Sequence, residues 1–149
     1  MRAVIQRVKK ASVSVKGEMT SEIGKGLLVF LATEQGDEQS DISYMVEKTV
    51  NLRIFEDDQG KMNLSVKDVG GEILVVSQFT LMGDCRKGRR PSFVRAGAPS
   101  EAKTMYDRAV EAFQRQPVPI QTGVFQAEME VELINDGPVT LLIDSKKAF

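Results

Sequence analysis

Residues 26–31 read Gly26-Leu27-Leu28-Val29-Phe30-Leu31. Five consecutive apolar side chains leave no position to face water, so the run has neither the period of an amphipathic helix nor that of a half-buried strand. It is short, and glycines at 24 and 26 flank it. Those features favour a strand buried on both faces over a helix. The same signature recurs at Ile73-Leu74-Val75-Val76, which follows Gly70-Gly71 and ends in Ser77-Gln78-Phe79-Thr80-Leu81.

Towards the N-terminus, Ala11–Val15 alternates apolar and polar residues, the mark of a half-buried strand. Lys16-Gly17 then reads as a hairpin turn into Glu18–Ile23. On the other side the period changes between Asp37 and Val50. Ile42, Met45, Val46, Thr49 and Val50 form one stripe of an amphipathic helix. Arg53–Phe55 reads as a short strand closed by the turn Asp57-Asp58-Gln59-Gly60. From Met82 to Pro99 there is no clear period, and structureless loops beyond ~12–15 residues are uncommon and often functional. Ser100 is the predicted N-cap of a second helix. Ala102, Met105, Tyr106, Ala109, Val110 and Phe113 are its buried stripe, and Pro117 and Pro119 end it. Met129, Val131 and Leu133 alternate with glutamates, and Asp136-Gly137 then precedes Val139–Ile143. The prediction here is an antiparallel hairpin with one wet face. Together these elements predict an α/β fold, a mixed sheet with helices on one side and a second β layer. The alternative is a β-barrel with two outer helices.

The chain has 149 residues, 42% hydrophobic and 28% charged, with a formal net charge of −1. That length predicts a single domain over residues 1–149. No segment nears the ~20 apolar residues of a membrane span, and the opening MRAVIQRVKK lacks the apolar centre of a signal peptide. One cysteine excludes an intrachain disulfide, and a cytoplasmic location is the expectation. The absence of histidine excludes more. Ser-His-Asp and Cys-His machinery, His-containing zinc sites and an imidazole base are all impossible. A four-cysteine metal site is impossible too. Neither metal nor cofactor is expected.

Three segments remain as candidate sites. Ser77, Gln78, Phe79 and Thr80 stand where a buried strand reaches the surface, a common place for sites. Ser77 and Thr80 offer hydroxyls and Gln78 a hydrogen-bond donor, although a strand end meeting water explains them equally. In Asn135-Asp136-Gly137-Pro138-Val139-Thr140 a turn accounts for Asp-Gly. Pro138, however, cannot donate to a ladder, and a Gly-Pro bond prefers trans by only about 0.5–1 kcal/mol. In cis it would redirect two consecutive carbonyls, and Gly137 would let a ligand approach the backbone. Finally, Arg86, Lys87, Arg89, Arg90 and Arg95 lie in a stretch with no acidic residue, with Phe93 among them. Such a patch suits phosphate contacts or simply a solvated surface. Cys85 lies beside these cations, but no histidine could accept its proton.

Together, S-Q-F-T-L at 77–81, N-D-G-P-V-T at 135–140 and G-R-R-P-S-F at 88–93 resemble the D-aminoacyl-tRNA deacylase family. The opening R-A-V-I-Q-R-V, G-L-L-V-F-L and R-I-F-E-D-D-Q-G-K-M-N are similar to it as well. The likeness runs from Met1 to about Ile143. It implies hydrolysis of the ester joining a D-amino acid to the 3′-terminal adenosine of tRNA, with mischarged glycine also cleared. It further implies a homodimer with active sites at the interface. Ser77 to Thr80 would line the pocket, and Gly137-Pro138 of the partner chain, in cis, would bind the α-ammonium and reject L-amino acids. Arg7 would hold that motif in place, and Arg86, Lys87, Arg89 and Arg90 would meet tRNA phosphates.

The chemistry tolerates a histidine-free chain. An ester is easier to cleave than an amide, and the ribose 2′-hydroxyl can assist attack. Backbone N–H groups of Phe79 and Thr80 are candidate oxyanion donors. No residue in the sequence supplies a base to activate Thr80. Two rivals stay open at this point, a non-catalytic tRNA-binding or editing-accessory module and a general esterase using Thr80 or Cys85.

Overall fold

A computed structural model describes residues 1–149. Its strands are β1 (Arg2–Val15), β2 (Glu18–Ile23), β3 (Gly26–Ala32), β4 (Phe55–Glu56), β5 (Met62–Leu64), β6 (Glu72–Ser77), β7 (Ile120–Thr122) and β8 (Met129–Asp144). Two helices, α1 (Gln39–Asn51) and α2 (Pro99–Gln114), and a 3-10 turn at Phe79–Met82 complete the elements. Six strands form one mixed sheet. One edge of β1 pairs antiparallel with β3 through Arg2–Val8 and then with β2 through Ala11–Val15. Its other edge pairs with β8 along its whole length. Beyond β3 the sheet continues in parallel through β6 to β7.

The two apolar runs lie side by side as β3 and β6, buried on both faces. Leu27, Val29, Leu31, Ile73 and Val75 point into a core with Ile42, Met45 and Val46 of α1 and Tyr106, Ala109 and Phe113 of α2. Leu28, Leu74 and Val76 point the other way, meeting Val8, Ala11, Val13 and Ile23. Each such side chain contributes about 1.5–3 kcal/mol by leaving water. The helices thus cover one face of a mixed sheet, as expected. The second β layer is the sheet's own far half, folded over and nearly closed, so the architecture shares much with the barrel alternative. Gly26 permits the tight seam between β3 and β6, since a Cβ there would lie 1.9 Å from the Glu72 carbonyl oxygen.

Several local expectations need correction. Helix α2 begins with Pro99 at its first position and Ala98 as N-cap, so Ser100 lies inside the first turn. Proline is preorganised for that first position and has no N–H to leave unpaired. The strand expected at Arg53–Phe55 is shifted, Phe55–Glu56 pairing with Met62–Leu64 across the Asp57 turn. β7 was not expected at all.

The largest correction concerns the C-terminus, where no hairpin forms. Residues 129–144 are one strand along β1, from Val15↔Met129 to Arg2↔Asp144. A two-residue Asn-Gly or Asp-Gly hairpin turn needs positive φ at both central residues, and neither Asp136 nor Gly137 has it. The fourteen-residue β1 offers a partner to both halves, so Asp136-Gly137-Pro138 becomes a bulge. The tail past β8, to which the sequence assigned nothing, is tied down. Ser145 and Lys146 both donate to the Asp41 carboxylate of α1, at 2.7 and 2.8 Å. Burial works against the Asp41 charge, but these donors and the Glu38 main chain outweigh it and hold the carboxyl at about 2.

Candidate active site

The parallel strands β3, β6 and β7 run in one direction, and their carboxyl ends open on a pocket of about 760 Å³. Such ends are where α/β sheets bind ligands, and the volume suits a nucleoside or amino acid. The last residue of β6, Ser77, lies half-buried at the pocket floor with Gln78 and Phe79 beside it. The Gln78 N–H donates to the Leu31 carbonyl of β3 at 2.8 Å, which turns the chain out of the sheet. The 3-10 turn begins there. Leu81 N–H returns to Gln78 and Gly83 N–H to Thr80, while the N–H groups of Phe79 and Thr80 have no acceptor in the protein. Unpaired donors at the first residues of a helical turn are the expected consequence of its geometry. The Gln78 side-chain amide donates to the Thr80 hydroxyl oxygen. Thr80 is exposed and does not line the pocket, unlike the other three residues of S-Q-F-T.

Phe93, from the long loop, packs edge-on against Phe79 with ring centroids 5.3 Å apart. Gly97 to Pro99, leading into α2, form one wall, and Phe125 to Ala127 form another. Phe125 rests on Tyr106, whose buried hydroxyl donates to the Val75 carbonyl at 3.1 Å. Burial, aided by Asp107, pushes that phenol up to about 12, so it stays neutral. None of the sixteen residues lining the pocket carries an ionisable side chain. Phe125, Gln126 and Ala127, which follow β7, carry almost no mark of a site in the sequence. The signal was slight, a Gly123 that lets this segment pack against Val76 and Met129.

The basic loop is organised by a bridge between Asp84 and Ser92 that closes Cys85–Pro91 into a projecting tip. Arg86 is engaged with Asp84, at 2.9 and 2.6 Å, and its guanidinium holds that carboxyl far below the usual range. Arg95 pairs with Glu34 at 2.6 Å. Lys87, Arg89 and Arg90 remain exposed without a carboxylate partner. Cys85 is exposed on the same tip.

Gly137 and Pro138 are exposed, and the bond between them is cis. Buried Arg7 reaches the residue before them. Its Nε donates to the Asp136 carbonyl at 3.0 Å, and its Nη1 to the Ile54 carbonyl at 2.6 Å. None of Arg7, Gly137 or Pro138 lines the pocket. Arg7 pairs with Leu27 at the start of β3, whereas Ser77 pairs with Leu31 near its end. Four strand residues separate the two sites, ~13 Å along the sheet.

A pocket with no titratable side chain at the carboxyl ends of parallel strands places the chain among α/β proteins that bind their ligands at the sheet end. Comparisons with known proteins make the class particular. Residues 4–144 match the family described as D-Tyr-tRNA(Tyr) deacylase. The chain is 60% identical to the D-aminoacyl-tRNA deacylase of Syntrophobacter fumaroxidans and 58% identical to that of Natranaerobius thermophilus, covering all of each. Among solved structures, a c-Myc DNA unwinding element binding protein superposes with a TM-score of 0.92 at 44% identity, over 97% of this chain and 98% of that one. A probable eukaryotic D-amino acid tRNA deacylase shares the fold, with a TM-score of 0.79 at 18% identity over 95% and 97% of the two chains. The chain belongs to the D-Tyr-tRNA(Tyr) deacylase family and is a hydrolase of the aminoacyl-tRNA ester bond. No helix is long and apolar enough to cross a membrane.

Proposed function

We propose that this chain acts as a homodimer that hydrolyses D-aminoacyl-tRNA and glycyl-tRNA and rejects the L ester through Gly137-Pro138 of the partner copy. The observation that carries the reading is the pocket without an ionisable side chain. Hydrolysis there rests on main-chain groups and on the substrate. The free N–H groups of Phe79 and Thr80 meet the ester oxygen as the carbonyl becomes tetrahedral, and one such donor is typically worth about 10²–10³ in rate. The ribose 2′-hydroxyl activates the water that attacks the carbonyl, the 3′-oxygen leaving with a proton; were the 2′-hydroxyl itself to attack, the acyl group would move to the 2′-oxygen and water would then cleave that ester. Ser77 and Gln78 shape the floor.

The partner's role follows from separation. Gly137-Pro138 lies too far from the Ser77–Thr80 turn of its own chain to share its pocket, and it projects into solvent. A second copy brings the two together. Carbonyls of that segment pin the α-ammonium, the donors pin the ester, and the backbone wall fills the direction an L side chain would take. A D side chain points to solvent, and glycine has nothing to exclude. Lys87, Arg89 and Arg90, with Arg86 already committed to Asp84, meet phosphates near the tRNA 3′ end.

The test compares D-Tyr-tRNA, L-Tyr-tRNA and D-Tyr-tRNA ending in 2′-deoxyadenosine. The D ester is expected to react far faster than either of the others. Equal D and L rates overturn the wall, and equal ribose and deoxyribose rates overturn substrate assistance.

A further inference from the structure

The bulge in β8 removes rungs from the ladder. On β1, Arg7 is the single residue between the pairs Gln6↔Thr140 and Val8↔Asn135, while β8 places Asp136, Gly137, Pro138 and Val139 in the same interval. Carbonyls on both sides of the opening lose their strand partners. The Asn135 side chain replaces them. Its Nδ2 donates to the Arg7 carbonyl and to the Val139 carbonyl, each at 3.0 Å. Arg7 holds the leading arm of the bulge at Asp136, and Asn135 holds the trailing arm at Val139.

The same amide explains why position 137 is glycine. A Cβ there would lie 2.9 Å from Asn135 Oδ1. That oxygen cannot swing aside without breaking both bonds from Nδ2. Only a short carboxamide supplies two donors from one nitrogen at this reach, since aspartate has none, serine has one and glutamine is longer by a methylene.

We propose that Asn135 is a positioning residue for chiral selection, fixing where the Gly137-Pro138 wall stands. The inference rests on the proposed role of that wall. A wall rejects by steric overlap, so its power depends on its being held in place, and displacement by about 1 Å is the scale on which positioning effects reach roughly 100-fold. Because Asn135 is exposed, replacing it opens no cavity in the core.

Asn135→Ala and Asn135→Asp are assayed for kcat/KM on D-Tyr-tRNA and L-Tyr-tRNA, with thermal melting alongside. The D:L ratio is expected to fall by roughly 10- to 100-fold in both variants with little change in melting. An unchanged ratio overturns the inference, and lower melting with an unchanged ratio does so by marking Asn135 as merely structural. Pro138→Ala is measured in parallel. If it shifts the ratio and the Asn135 variants do not, the wall stands and the role of Asn135 falls. If none shifts it, both fall. Gly137→Ala completes a cycle with Asn135→Ala, in which the double variant is expected to lose less selectivity than the product of the single losses. A loss equal to that product overturns the steric link between the two residues.

Discussion

The Thr80 hydroxyl accepts a hydrogen bond from the Gln78 amide, touches no base and does not line the pocket. A threonine nucleophile needs a group to take its proton, and neither carboxylate nor amine stands beside it. Thr80→Ala is therefore expected to retain substantial activity, read as kcat/KM on D-Tyr-tRNA. A loss on the order of 10⁴-fold, the scale of removing a chemical group, would make Thr80 the nucleophile. At this scale the sequence shows which residue types stand together and not which main-chain groups they meet. Ser77, Gln78 and Phe79 stand out because polar side chains follow an apolar strand, and the three line the pocket. The two carbonyls that bind Arg7 belong to Ile54 and Asp136, far from it in sequence, and main-chain acceptors carry no residue signature.

The loop between the 3-10 turn and α2 shows how an element redistributes charge that the sequence counts evenly. The sequence shows five cations, but the carboxylates of Asp84 and Glu34 pair with Arg86 and Arg95. Reversing Arg89 and Arg90 to glutamate is expected to raise KM for tRNA and flatten its salt dependence by about one unit per lost phosphate contact. Reversing Arg86 should do less, because its charge is already spent on Asp84. An unchanged salt slope in the Arg89/Arg90 variant would make the loop an ordinary solvated surface. Other elements were legible in proportion to how local their causes are. β3 and β6 declare themselves as short unbroken apolar runs, and α1 through its helical period. β7 has three residues between Pro119 and Gly123, too few to show any period, and exists because β6 offers it an edge. β8 was misread because Asp-Gly is a local turn signal and its pairing partner lies more than a hundred residues away.

At the scale of the whole molecule, the folded-over cover of the sheet stops short. Val4, Phe30 and Leu142 are adjacent partners across β3, β1 and β8, and this apolar row is left partly or largely open, with Leu142 62% exposed. Phe79 at the pocket mouth is also exposed. Isolated surface apolars are ordinary, but a contiguous row beside a ligand site is the mark of an interaction face. The proposed dimer seats a second copy there in two-fold symmetry, with each Gly137-Pro138 against the other chain's pocket. Two inactive variants then become informative together. Phe79→Pro removes one main-chain donor at a position where proline fits the turn, and Gly137→Trp drives a bulky side chain from the segment that reaches across into the partner's pocket. In a mixed dimer one pocket carries both defects and the other carries neither. Random exchange in an equal mixture makes half the dimers mixed, so about one quarter of the wild-type D-Tyr-tRNA activity is expected to return. If each chain completed its own site, every site would keep one defect, and the mixture would show only the mean of the two variants. Recovery that appears with the time course of subunit exchange identifies the site as shared, because no folding defect in either chain is corrected by diluting it with another inactive one.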